Sequence, residues 1–210
     1  MRNVRLQNPF AVIDTTGLDS QILAVVTRSE QYLTVRQICA LLPEGGSSQG
    51  VRKSVARLKE QGTILERVTG RSFAYALNPD HLLVDAIRQI ANAKRALLAR
   101  MAAAISIWHI QPITVKVFGL AARDEMRTDS DIDLLVVMPD TDVGDAGETL
   151  VRELTAQMTR WTGNDVRPLL YRSSEVRSAD IFESIVREGI DVYGDPSWLR
   201  RQIRKDRGEA

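Results

Sequence analysis

Two aspartates one residue apart, Asp131 and Asp133, precede the run Leu134-Leu135-Val136-Val137. A polar start followed by β-branched and apolar residues reads as the entry to a buried strand. Strand side chains alternate faces, so the two carboxylates share one face about 6.5–7 Å apart, while Ile132 and Leu134 face the other way. Two hard oxygen donors on one face suit a divalent cation, above all Mg²⁺, which completes its octahedron with waters and phosphate oxygens. The alternative for the pair alone is a solvated strand entrance that carries two acids.

What precedes the pair makes it more specific. Val115 to Phe118 reads as a short strand ending at Gly119, and a short helix bearing Arg123 leads on to Ser130-Asp131-Ile132-Asp133. In these residues, and in the spacing from Gly119 to Asp131, the chain resembles the minimal nucleotidyltransferases of the DNA polymerase β superfamily. The resemblance implies a small mixed-sheet domain in which Gly119, Arg123 and Ser130 receive a nucleoside triphosphate (NTP), with its phosphates at a helix start. It also implies that Asp131 and Asp133 hold Mg²⁺ for nucleotide transfer. The acceptor is left open between a protein hydroxyl, an RNA end and a small molecule.

Three positions depart from that pattern. Leu120 stands where the family has serine, and Asp124 where it commonly has glycine. The family's third carboxylate comes from a later strand, for which Asp165-Val166-Arg167-Pro168-Leu169-Leu170-Tyr171 is the match. There Arg167 takes the acid's place, and Asp165, two residues earlier on the same face, is the candidate catalytic acid. The other reading of Asp165 is a cap on the turn after Trp161-Thr162-Gly163-Asn164. Pro168 has no N–H for a ladder, so this strand is expected at a sheet edge or bent.

The elements before the site belong to a different module. Leu18, Ile22, Leu23 and Val26 recur at helical spacing, Thr34 caps a helix from Val35 to Leu42, and Ser47-Ser48 open a third that Gly62 ends. In that third helix Val51, Val55 and Leu58 form the apolar stripe. Two strands then follow, joined by Thr69-Gly70-Arg71 as a hairpin. Three helices and a hairpin resemble a winged helix-turn-helix. That resemblance implies a helix in the major groove of double-stranded DNA, with Lys53, Arg57, Arg67 and Arg71 on phosphates and Ser48 and Gln49 at base edges. The same fold reused for protein contact or dimerisation is the alternative.

From Pro79 to Trp108 runs a helical pattern interrupted at Lys94, a connector that also offers a surface to a second subunit. The expected architecture is α/β (α+β): residues 1–78 a winged helix-turn-helix, 79–112 a long connecting helix, and 113–210 the nucleotidyltransferase-like domain. With 210 residues, 44% hydrophobic, 26% charged and a net charge of +1, the composition is that of an ordinary globular chain. No apolar run of membrane length or signal segment is visible, so a cytoplasmic protein is expected. Cys39 is the lone cysteine, and His81 and His109 lack companions at zinc-ligand spacing. The expected function is DNA binding joined to NTP·Mg²⁺ binding and nucleotide transfer. The rival is a transcriptional regulator or antitoxin-like protein, partnered by a cognate toxin or by its own copy, with a degenerate transferase fold.

Overall fold

The computed structural model describes residues 7, 17–127, 129–140 and 144–208. It is an α+β chain whose contacts divide it into two compact units between Lys94 and Arg95.

The N-terminal unit begins with helix α1 (Leu18–Arg28), followed by the two-residue strand β1 (Leu33–Thr34) and helix α2 (Val35–Leu41). Thr34 and Gln37 close a reciprocal capping box at the start of α2, satisfying backbone donors that no helical carbonyl reaches. Helix α3 (Ser48–Glu60) is capped by Ser47, whose side chain accepts from the Gly50 N–H. Gly62 follows with φ +75°, a conformation that glycine adopts without strain. Strands β2 (Ile64–Thr69) and β3 (Ser72–Leu77) form the hairpin, and β1 adds to β3 in a sheet ordered β1-β3-β2. Ile22, Val26, Ile38, Val51, Val55, Leu58, Ile64 and Tyr75 make one core from the helices and the sheet. β1 escapes sequence reading because two residues hold no period.

The segment expected as one connecting helix is two, α4 (Val84–Ala91) and α5 (Ala93–Ser106), with Asn92 as a turn between them. Asn92 has φ −94° and ψ 15°, off the helical basin, and its side chain donates back to the Arg88 carbonyl. Asparagine competes in this way with helical hydrogen bonds.

The C-terminal unit carries β4 (Thr114–Phe118), the short helix α6 (Gly119–Arg123), β5 (Ile132–Met138), α7 (Gly144–Thr162) and β6 (Val166–Arg172). Then come α8 (Asp180–Glu188), β7 (Ile190–Gly194) and α9 (Trp198–Asp206). The sheet is mixed and ordered β6-β5-β4-β7, with β5 and β6 parallel and the other pairs antiparallel. The parallel pair requires a crossover, and α7 supplies it. β6 is an edge strand, consistent with Pro168 in it. Leu135 and Val137 pack on one face under Phe182 and Ile185 of α8 and Leu199 and Ile203 of α9. Alternation sends the fully buried Ile132, Leu134 and Val136 to the other face. No helix among the described residues is long and apolar enough to cross a membrane.

One charge is built into this core. Lys116 of β4 is 5% exposed and pairs with Asp191 of β7, and it also reaches the Pro196 carbonyl at 3.4 Å. Asp191→Ala would leave a buried ammonium without its counter-ion. Asp191 itself is 47% exposed, so the loss falls below the ~3–5 kcal/mol of a fully buried pair, at about 1–3 kcal/mol. Lys116→Met removes the buried charge and should cost clearly less. Urea unfolding of the two variants checks this, and equal losses would mean that the pair does not govern the site.

Candidate functional site

Along β5 the row Val137, Leu135, Asp133 lies on one face of the sheet, and Asp131 continues it just before the strand. β6 repeats the change from apolar to charged, because the parallel register sets Tyr171 beside Val137, Leu169 beside Leu135 and Arg167 beside Asp133. The apolar end of this face is the core under α8 and α9, and the charged end opens into a cavity of 730 Å³. Glu125, Asp129, Asp131 and Asp133 line it together with Arg127 and Arg167, and Leu120 and Ser130 complete the lining.

Gly119 makes room for the pair. It sits where β4 meets α6 at φ +67°, and a Cβ there would run into Asp133 Oδ2. A side chain at 119 would therefore be strained in its backbone and would displace the Asp133 carboxylate. Burial pushes the Asp133 carboxyl above its ordinary pKa, and neighbouring Asp131 pushes the same way. Arg167 and Arg123 pull against them. Asp131 is the partner that Arg167 holds, Nη2 to Oδ2 at 2.7 Å.

The other anticipated residues are placed as follows. Arg123 donates to Glu125 at 2.9 Å and to Glu188 at 3.1 Å, so its guanidinium is already bound by two carboxylates and does not line the cavity. Ser130 is buried; its Oγ accepts from the Arg127 N–H at 2.7 Å and shapes the turn into the aspartates. The fully buried Asn164 donates to the Ser130 carbonyl at 2.9 Å and so fixes the approach of Asp131 from behind. Sequence reading treated Asn164 as a turn residue only, since a contact across 34 positions leaves no local pattern. Asp165 is exposed and absent from the cavity lining, while its carbonyl accepts the Ile132 N–H at 2.8 Å. Asp124 has φ +60° and closes α6. This is a left-handed position, and aspartate is one of the few residues besides glycine that adopts it readily. It too lies outside the cavity lining.

Two carboxylates do not make a closed metal cage. Among the described residues no group of three or more His, Cys, Asp or Glu side chains is placed to hold a metal ion. The pair fits a Mg²⁺ that arrives with phosphates, since that ion takes one or two carboxylates and completes its shell with water and substrate oxygens.

On the N-terminal unit, Ser48, Gln49 and Lys53 lie on the exposed side of α3, and Arg71 follows the exposed hairpin turn. Arg52, overlooked in the sequence, is exposed beside Lys53. The apolar spacing that buries Val51 and Val55 places 52 and 53 together outward, and this was the available signal. Arg57 is engaged elsewhere: it donates to both oxygens of Asp19, at 3.2 and 2.7 Å, and to Ser54 Oγ at 3.0 Å. Arg67 lies over the Tyr32 ring, 4.2 Å from its centroid, a cation–π contact.

No family model matches the chain, and no curated protein matches it. Among solved structures, a toxin–antitoxin protein crystallised with AMP-PNP is 21% identical, with a TM-score of 0.35 over 55% of this chain and 82% of that one. A mutant of the toxin–antitoxin MntA–HpeT is 17% identical, with a TM-score of 0.36 over 55% of this chain and 84% of that one. A candidate nucleotidyltransferase from Sulfolobus solfataricus is 16% identical, with a TM-score of 0.28 over 49% and 87%. These overlaps are partial and the identities low, and neither family nor activity follows from them.

The partly buried Asp133 carboxyl has a signature in stability. Its folded pKa is raised above the unfolded value, so the fold loses stability as pH rises through that interval, and at neutral pH it carries the cost of the charged form. Asp133→Asn should therefore raise Tm at neutral pH. The gain should fade below the ordinary carboxylate pKa, where the wild-type group is already neutral. Thermal melts of both proteins across this range check it, and a gain independent of pH would sink the burial argument.

Proposed function

We propose that the C-terminal unit binds NTP·Mg²⁺ at its carboxylate pair and serves nucleotide transfer, and that the N-terminal unit is a winged helix-turn-helix that binds duplex DNA. The observation that supports the first half is the convergence of Asp131 and Asp133 on an open cavity beside a glycine whose missing side chain admits Asp133. Asp131 and Asp133 would hold the Mg²⁺, whose charge offsets that of the phosphates and helps align them for transfer.

The remaining residues of the cavity position the nucleotide. Arg127 lines it with no ion-pair partner among the described residues, so its guanidinium is available to a phosphate oxygen. Asn164 and Ser130 hold the turn that delivers Asp131. Besides the pair, the cavity's carboxylates are Asp129 and Glu125, the latter already on Arg123, while Asp165, the acid expected to take the acceptor's proton, would have to turn inward. This favours a second reading, a nucleotide-responsive regulator or antitoxin-like protein that binds NTP and transfers it poorly or not at all, because Arg167 stands beside Asp133 where the family places an acid.

Calorimetry with ATP and Mg²⁺ should show binding by the wild type and its loss in Asp131→Ala and Asp133→Ala. Equal binding by wild type and Asp131→Ala would end the carboxylate-clamp reading. Incubation with labelled NTPs and cell lysate then separates the two readings. If transfer occurs and Asp165 takes the acceptor proton, Asp165→Asn should lower the rate by about 10²–10⁴-fold while leaving NTP binding unchanged.

For the N-terminal unit, the element order helix, short strand, helix, helix, hairpin, with α3 exposing Gln49, Arg52 and Lys53, supports DNA contact. Affinity should fall with salt by about 0.9 in log–log slope per phosphate contact. Arg52→Ala with Lys53→Ala should flatten that slope by roughly two. Arg57→Ala should change it less, because Asp19 already neutralises that guanidinium. A full-length protein that ignores duplex DNA at low salt would leave this surface to a protein partner.

A further inference from the structure

Arg167 and Asp131 are unequal partners. The arginine side chain is 72% exposed and the aspartate 21%, so the carboxylate is the anchored end of the pair and the guanidinium the movable one. An ion pair with so exposed a member contributes little to stability. It is positioned to be exchanged at little cost.

What it blocks is specific. Arg167 lies beside Asp133 in the strand register and bonds an oxygen of Asp131, so its charge acts on both members of the pair. A divalent cation approaching the same two carboxylates competes with it for Asp131. The displaced guanidinium then remains in the cavity, beside Arg127 and within the same lining. Like charge would repel it from a bare cation. A cation that brings phosphates gives it new acceptors, and arginine binds phosphate oxygens in a bidentate manner.

We infer that Arg167 is an exchangeable internal cation: it opposes metal binding to Asp131 and Asp133 in the absence of nucleotide, and it favours the joint binding of metal and a nucleoside triphosphate by moving from Asp131 to the phosphates. The site is thereby tuned to a metal–nucleotide complex over a free metal ion. This rests on the nucleotide-binding reading above. It is a coupling between two ligands, and the same residue must appear with opposite sign in the two binding steps.

Free Mn²⁺, counted by its electron paramagnetic resonance signal, provides the readout in the full-length protein. Mn²⁺ alone should bind Arg167→Gln roughly two- to fivefold more tightly than wild type, the scale of one exposed ion pair. With Mn²⁺ saturating, a non-hydrolysable ATP analogue should bind Arg167→Gln roughly tenfold or more weakly, the scale of a lost charge-assisted contact. Arg167→Lys, which keeps the charge, should lie nearer wild type in both steps. If wild type binds the Mn²⁺–analogue complex and Arg167→Gln changes both steps in the same direction or neither, the exchange is wrong and nucleotide binding stands. If neither protein binds the complex, the nucleotide reading falls and takes the exchange with it.

Discussion

The C-terminal unit depends on one constraint: a half-buried carboxylate must stand against a bare α-carbon at the end of a three-strand row. Phe118 of β4, Asp133 of β5 and Arg167 of β6 are neighbours across the sheet, and the chain turns into α6 immediately after Phe118. The turn brings Gly119 against the Asp133 side chain. Without a Cβ at 119 the strand ends close together and the carboxylate remains at the cavity edge. With one, the Asp133 carboxylate must turn away from its place or the strand ends must part. The remaining features of the site, from the capped turn at Ser130 to the Asn164 hydrogen bond, keep β5 and its approach in this register.

The sheet face that carries the site also carries the core under α8 and α9. Moving along β5 from Val137 to Asp131, or along β6 from Tyr171 to Arg167, the row passes from packing under α8 and α9 to lining a cavity. Rigid placement of the charged end thus comes from hydrophobic burial of the other end, which is cheap in sequence because both lie on one alternation of the same strand. The exception is Lys116, a charge inside the packed sheet that Asp191 neutralises from the neighbouring strand.

Much of this was legible in the sequence for local reasons. Period-two alternation gives the common face of Asp131 and Asp133, and capping residues give α2 and α3 to within a residue or two. Pro168 gives the edge strand. The glycine at 119 could be recognised as a turn, but its second role, clearance for Asp133, joins residues of two strands and has no local signature. The same limit hid the short strand β1 and the break at Asn92, where one side chain's hydrogen bond to a carbonyl four residues back marks the turn within a helical pattern.

Charge is where sequence and structure differ most, because residue types can be counted while pairings cannot. Arg57, Arg123 and Arg167 resemble one another in the chain as cations beside candidate sites. In the fold Arg57 is held by Asp19, Arg123 by Glu125 and Glu188, and Arg167 by Asp131. Arg127 and Arg52, which no motif singled out, line the cavity and lie exposed on α3, respectively. A cation with a resident carboxylate must first exchange it before it can meet a phosphate, so its contribution is conditional on what else arrives. A cation with no ion pair among the described residues needs no such exchange. On the nucleotide-binding reading proposed above, the cavity's arginines would meet a phosphate in that order, Arg127 first and Arg167 only when a second cation takes Asp131.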